Sequence, residues 1–189
     1  MYDLLFKYFQ SKVNIDQDQF DVLAPQFKRF DTKRNEFLLR RGEICKYNYF
    51  VNEGCLRFFT TNKEGQQMTR YFAFPGKFGT SLASFIELEP SFEYIQSVEQ
   101  SQILAISRQD FFELVDSNPV INKIYRDILE MAYITSQKRI YGLQGDTALD
   151  RLKWLMEYQP KILSKLSNKV IASYLGVTPY TLSRLKTEL

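Results

Sequence analysis

The sequence predicts an α+β chain, in which a roll of short antiparallel strands precedes one long helix and a small helical region ending in a helix-turn-helix. Three observations predict it. Glycines at 42, 54, 65 and 76 fall 12, 11 and 11 residues apart and punctuate stretches rich in Phe, Tyr, Val and Thr. That spacing of turn signals is the rhythm of a meander or jelly roll. From Asn118 onward Ile121, Ile124, Ile128 and Met131 recur at three- and four-residue steps, the period of a helix with one apolar seam. Residues 167–189 then hold two separately capped helical segments with a turn of about three residues between them. The domains expected are 1–116, the roll; 117–145, the long helix and a hinge; and 146–189, the terminal helical domain.

Leu4, Leu5 and Tyr8, then Phe20, Leu23 and Phe27, give the first thirty residues a helical period. Strands are expected from Asn35 to about Ser107, with Asn62-Lys63-Glu64-Gly65 as a hairpin tip between Leu56–Thr61 and 66–74. The last strands are placed at 92–98 and 103–106. Ser107 followed by Asp110 is a helix start, and Asn118-Pro119 a second, because proline at the first helical position lacks only an N–H that has no partner there. The long helix is expected to run to about Tyr141 and 142–146 to act as a hinge. Its seam could be buried against the chain's own sheet or could form a coiled-coil-like dimer contact through Ile121, Ile124, Ile128 and Met131. Thr147 with Asp150 caps the next helix, which carries Leu149, Leu152, Leu155 and Met156 and stops at Pro160.

Composition removes several functions. The chain has no histidine, so Ser-His-Asp and Cys-His nucleophilic dyads, histidine-ligated haem and cupin-type metal sites are excluded. No acidic cluster has ligand spacing, so neither a metal nor an enzyme is expected. Cys45 and Cys55, ten residues apart around an expected strand and turn, match no zinc or iron–sulfur spacing; they could form a disulfide but read first as reduced, small apolar residues. No run approaches the roughly 18 apolar residues of a membrane span, and the N-terminus lacks the pattern of a signal peptide, so the expected location is the cytoplasm, with no membrane partner. The net charge of +3 is unevenly placed. Residues 146–189 hold seven Lys/Arg against four acids, while residues 1–145 balance to zero, so a polyanion would meet the last quarter of the chain.

In that quarter Ser167 is an N-cap, and Leu166 before it can staple onto Ile171. Val170, Ile171, Tyr174 and Leu175 form the buried side of the first helix, Ala172 allows close backbone approach, and Gly176 ends the helix. Thr178-Pro179 opens the second helix, which buries Leu182, Leu185 and Leu189. At about 100° per residue, the side opposite those leucines carries Tyr180, Ser183, Arg184 and Thr187. These four are the candidate base-reading residues, Arg184 first among them because a guanidinium can bond both O6 and N7 of guanine. Lys169, Thr178, Lys186 and Lys165 flank that side as candidate phosphate contacts.

With Phe37-Leu38-Leu39-Arg40-Arg41-Gly42-Glu43, Tyr49-Phe50-Val51-Asn52-Glu53-Gly54, and Ile171-Ala172-Ser173-Tyr174-Leu175-Gly176-Val177-Thr178 with Leu182-Ser183-Arg184-Leu185, the chain resembles the cyclic-AMP receptor protein/FNR (Crp/Fnr) family of bacterial regulators over nearly its whole length. The resemblance implies a cyclic-nucleotide-binding-like β-roll, a long dimerisation helix and a winged-type helix-turn-helix. It also implies a homodimer on double-stranded DNA, with RNA polymerase as a further partner. Departures from the family limit what carries over. Members that bind cyclic nucleotide use a Phe-Gly-Glu segment and, about ten residues on, an arginine that neutralises the cyclic phosphate. Here Phe78-Gly79-Thr80 lacks the carboxylate, and Ser91-Phe92-Glu93 offers an acid that repels a phosphate. Cyclic AMP and GMP are therefore not expected as cofactors. Phe78, Gly79, Thr80, Ser81 and Phe92 remain a candidate pocket for another effector. Two cysteines cannot supply the four thiolates of an iron–sulfur sensor. Pro179 and Tyr180 replace the family's basic and acidic base-reading pair, and only Arg184 matches a base-contacting position. The alternative is a ligand-binding or protein-interaction module whose last helices form a lid; it predicts a monomer with no retention on duplex DNA.

Overall fold

The chain opens with two short helices, α1 (Asp3–Gln10) and α2 (Gln17–Leu23), the second started by a capping box in which Asp16 and Gln19 satisfy each other's backbone N–H. Strands β1 (Lys28–Thr32), β2 (Phe37–Leu39), β3 (Tyr47–Glu53), β4 (Leu56–Thr61), β5 (Gln67–Ala73) and β6 (Phe78–Gly79) follow, then helix α3 (Leu82–Glu87) and strands β7 (Tyr94–Ser97) and β8 (Ser101–Ser107). The remainder is helical: α4 (Arg108–Ser117), α5 (Pro119–Gly145), α6 (Ala148–Tyr158), α7 (Ile162–Lys165), α8 (Asn168–Leu175) and α9 (Pro179–Leu185). The computed structural model describes all 189 residues except Lys161.

By their contacts the residues fall into two units, one of Met1–Thr60 with Tyr71–Leu129, the other of Thr61–Arg70 with Glu130–Leu189. The first holds the roll. Its strands form two four-stranded antiparallel sheets, ordered β1-β8-β3-β6 and β2-β7-β4-β5. In one sheet Thr32 pairs with Ser101 and Val51 with Ile103; in the other Leu56 pairs with Ser97 and Phe59 with Tyr94. The residues filling this unit are mostly aromatic and branched: Phe9, Phe20, Phe50, Phe58, Phe85, Ile95, Leu104 and Ile106 are all buried. Each such side chain contributes about 1.5–3 kcal/mol by leaving water. Cys45 and Cys55 are buried free thiols.

Two glycine-dependent features shape the roll. Gly54 sits at φ +88° in the turn between β3 and β4, and a Cβ there would overlap Ser101. The predicted hairpin tip forms as expected, with Gly65 donating to the Asn62 carbonyl and the Gln66 N–H bonding the Asn62 side chain at 2.8 Å.

The structure departs from the sequence reading at several elements. β1 is a strand whose first residues fall where helix was expected, because its pairing partner β8 lies far along the chain, with Lys28 opposite Ala105 and Thr32 opposite Ser101. α3 interrupts a region read as strands only. α5 continues through Gly142 and Gly145, with the Asp146 N–H bonding the Gly142 carbonyl at 3.0 Å, so the segment read as a hinge is helical up to its last residue. The seam on α5 needs correction as well. Ile121 and Ile124 are only 4% and 3% exposed and belong to the first unit's core, with Ile128 packed against it. Met131, at 54% exposure, lies outside that core. The first half of the seam therefore faces the chain's own roll and is not surface available to a second chain.

The outward side of the second half of α5 is apolar instead. Tyr133, Ile134, Ile140 and Tyr141 are all exposed. At about 100° per residue they cluster within one stripe, opposite the line of Ile121, Ile124 and Ile128. The Gln137 amide donates to the Tyr133 hydroxyl at 2.9 Å within that stripe. Among the described residues no helix is long and apolar enough to cross a membrane.

Candidate nucleic-acid interface

The second unit builds the helix-turn-helix from local signals. Thr147 and Asp150 make a capping box at the start of α6, and the Thr147 hydroxyl bond is the chief reason the Asp150 carboxyl is held below its ordinary pKa. Ser167 accepts from the Val170 N–H and starts α8; Thr178 accepts from the Thr181 N–H and, with Pro179 at the first position, starts α9. Between them Gly176 adopts the left-handed conformation at φ 70°, ψ 33°, and the next residue's N–H bonds back to the Ala172 carbonyl at 3.1 Å. A residue with a Cβ is disfavoured in that conformation, so glycine makes the tight turn possible. Leu152, Leu155, Ile162, Leu166, Ile171, Ala172, Leu175, Leu182 and Leu185 are buried in this unit.

The predicted reading surface is exposed on α9. Tyr180 is 72% exposed, and Ser183 and Arg184 are exposed beside it. Arg184's guanidinium has no hydrogen-bond or ionic partner among the described residues, so all its donors are available. Ser183 is partly engaged: its hydroxyl donates to the Pro179 carbonyl at 3.0 Å and accepts from the Asn168 amide at 3.4 Å. Thr187 is exposed but lies two residues beyond the end of α9, its hydroxyl bonded to the Arg184 carbonyl at 2.6 Å. Leu189, expected in the core, is 53% exposed because α9 has already ended.

Lys165, Lys169 and Thr178 are exposed at the edges of the same pair of helices. Lys186 is half-buried and donates to the Asn168 side chain at 2.6 Å, joining the residue after α9 to the first turn of α8. After β8 no strand occurs among the described residues, so the winged form implied by the resemblance is represented by its helices alone.

One group of interactions had no sequence signal. The Arg139 guanidinium, on α5, donates through Nη2 to the Thr69 carbonyl at 2.8 Å and the Tyr174 carbonyl at 2.7 Å, and lies 3.8 Å from the centroid of the Tyr174 ring. Thr69 and Ser173 also share a 2.6 Å hydroxyl contact. The first half of β5 is thereby fastened to α8. Helical periodicity places Arg139 on its helix but does not say which carbonyls it meets.

The candidate effector residues are less unified. Gly79 is buried on β6, where a Cβ would overlap the Phe58 ring. The Thr80 hydroxyl donates to the Tyr47 carbonyl at 2.9 Å. Ser81 is fully buried, with its hydroxyl 2.9 Å from that of Ser91 and 3.3 Å from the Glu93 carboxylate. Phe78 is half-buried between aromatic rings, 4.9 Å from Phe50 and 5.3 Å from Tyr8 by centroid. Phe92 is 57% exposed and stands outside this cluster. The structure thus groups Ser81 with Ser91 and Glu93, two residues the sequence had cited only against a phosphate. Arg57 is also buried in the roll, 4.3 Å from the Phe59 ring, and burial lowers its pKa to about 10.

Fold and site together define a chain with a β-roll of two antiparallel sheets, a long helix and a helix-turn-helix. Residues 29–118 match the cyclic nucleotide-binding domain family. The cyclic AMP receptor protein of Thermus thermophilus is 22% identical over 172 residues, spanning 89% of this chain and 79% of that protein. FixK2 from Bradyrhizobium japonicum shares the fold with a TM-score of 0.73 at 17% identity, covering 86% of this chain and 84% of its own. A CRP/FNR-family transcriptional regulator from Thermus thermophilus does so at 0.67 and 17%, covering 86% and 85%. The resemblance to the Crp/Fnr family read from the motifs is borne out at the level of the fold, which the chain shares with these regulators.

Proposed function

We propose that this chain is a sequence-specific DNA-binding transcriptional regulator that acts as a homodimer in the cytoplasm and performs no chemistry of its own. The observation that carries this reading is the outward surface of α9, where Tyr180 and Arg184, whose guanidinium has no partner among the described residues, stand on a helix anchored by its cap and its buried leucines. A guanidinium so placed can enter the major groove and bond a guanine edge, while Lys165, Lys169, Thr178 and Lys186 flank it for phosphates. Two copies joined through the Tyr133, Ile134, Ile140 and Tyr141 stripe of α5 would present two such helices to groove faces about 34 Å apart on an inverted repeat. RNA polymerase enters this reading as the partner through which a bound dimer changes transcription.

Mobility-shift titrations at several salt concentrations test the assignment. Arg184→Ala is expected to weaken specific binding by about 1–3 kcal/mol and leave random-sequence binding little changed. Lys169→Ala is expected to weaken both alike and to reduce the salt slope by about one unit. Equal losses on specific and random duplexes for Arg184→Ala would remove the base-reading role.

We further propose that the roll takes no cyclic nucleotide. A buried Glu93 carboxylate that accepts from Ser81, and the Phe58 ring filling the space over Gly79, support this. An anionic cyclic phosphate brought there would face a carboxylate in a low-dielectric interior. Calorimetric titration with millimolar cyclic AMP or cyclic GMP is expected to give no binding heat; saturable binding of either would overturn the proposal.

A further inference from the structure

The second unit contains a cavity of about 330 Å³, lined by the last turns of α5, Arg151 and Trp154 of α6, and the end of α8. Its volume falls within the roughly 300–1,000 Å³ typical of small-molecule sites. Three cations line it, Lys138, Arg139 and Arg151, against one carboxylate, Asp146. None of the three is in an ion pair among the described residues. The two arginines are anchored by main-chain carbonyls instead. Arg139 Nη2 holds those of Thr69 and Tyr174, while Arg151 donates from Nε to Leu175 at 3.1 Å and from Nη1 to Asp146 at 2.7 Å. Bonds to carbonyls orient a guanidinium without neutralising it, so both charges are fixed in place and remain uncompensated. The opposite requirement, an apolar wall, is met by Trp154, whose indole is itself held by stacking on Tyr158 at 5.3 Å and 4°.

We propose that this cavity binds a small aromatic anion, a planar ring system bearing a carboxylate, sulfonate or phosphate, with Lys138, Arg139 and Arg151 receiving the anion and Trp154 the ring. A cation is repelled by three like charges, and an aliphatic anion leaves the indole wall unused. Because the lining comes from α5, α6 and α8 together, an occupant ties the long helix to the first helix of the helix-turn-helix. The regulatory consequence rests on the DNA-reading assignment: a ligand that favours one arrangement of these helices changes DNA affinity, and DNA changes ligand affinity by the same factor. Binding itself does not rest on it.

Trp154 is the chain's one tryptophan, so indole emission reads this site directly. Titrating the full chain with p-toluenesulfonate and with phenyl phosphate is expected to give a saturable change in that emission, and benzyl alcohol to bind about tenfold more weakly or worse. Lys138 is exposed and makes no hydrogen bond among the described residues, so Lys138→Glu is expected to keep the melting temperature while weakening both anions about tenfold or more. Calorimetry on Trp154→Ala, whose fold is checked by circular dichroism, is expected to show the same loss. No saturable response to either anion at millimolar concentration, equal affinity for benzyl alcohol, or unchanged affinity in Lys138→Glu would each overturn the site. These readouts contain no DNA. Anion binding without DNA binding would sink the regulator assignment alone, and the reverse outcome would sink this cavity alone.

Discussion

Ile134→Asp combined with Ile140→Asp is expected to leave the chain folded, convert it to a monomer, and weaken binding to a two-half-site duplex by about 100- to 10,000-fold. Both side chains are about half exposed in the single chain, so replacing them removes little of its own core. In a dimer joined along the stripe, the same carboxylates would be buried against a second apolar surface and against each other. Burying unpaired like charges costs several kcal/mol, more than a contact of a few side chains supplies. Loss of the second head then removes the gain from tethering two binding events. Light scattering reports the mass, and mobility shifts on whole and half sites report the two affinities. A double variant that remains dimeric would move the interface elsewhere. The corresponding change at Ile124 would be uninformative, since that residue is in the core of the roll.

The second large effect is one of stability. Gly54→Ala is expected to destabilise the protein by about 3–5 kcal/mol, through two additive causes. A left-handed conformation costs an L-residue roughly 1–2 kcal/mol. The added methyl also displaces Ser101, whose buried hydroxyl accepts from the Cys55 N–H at 3.1 Å and donates to the Glu99 carbonyl at 2.9 Å. Ser97 and Thr32 continue that hydroxyl network, with 2.7 Å between their oxygens. Each buried group left unmatched costs about 1–3 kcal/mol. Urea denaturation followed by circular dichroism gives the total. Adding Ser101→Gly removes only the side-chain part of the overlap, since the methyl would still meet the backbone Cα of residue 101, and it deletes the Ser101 hydroxyl, so it should restore little of the loss; full restoration would mean that neither the conformation of Gly54 nor the hydroxyl network contributes.

The parts of this molecule that sequence reveals are those whose cause is local. Ser107, Asn118, Thr147, Ser167 and Thr178 each cap the helix they were expected to cap, because a capping oxygen meets an N–H two or three residues away. Gly176 and the tip at Asn62–Gly65 were legible for the same reason. β1 was not: four of its five residues are exposed, and its partner strand lies far along the chain. The seam on α5 was found as a seam, yet periodicity does not state what covers it. Two of its isoleucines turn out to face the roll, and the apolar stripe left open begins a turn later on the opposite side. Thr187 and Leu189 were extrapolated along a helix that stops at Leu185. Arg139, Thr69 and Ser173 come together from three separate elements, and no spacing rule anticipates such a meeting.

The membership of Thr61–Arg70 in the second unit means that the chain passes between the two units at three places: after Thr60, after Arg70 and after Leu129. A protease cutting once, in α5, would not free the second unit, since Thr69 of β5 would remain bonded to Ser173 of α8. A fragment beginning after Leu129 would lack Thr69 altogether, leaving Ser173 without that contact and Arg139 without one of its two carbonyls. The unit proposed to read DNA is therefore not the contiguous tail alone, and a transplant of that tail into another chain would need to carry residues 61–70 with it.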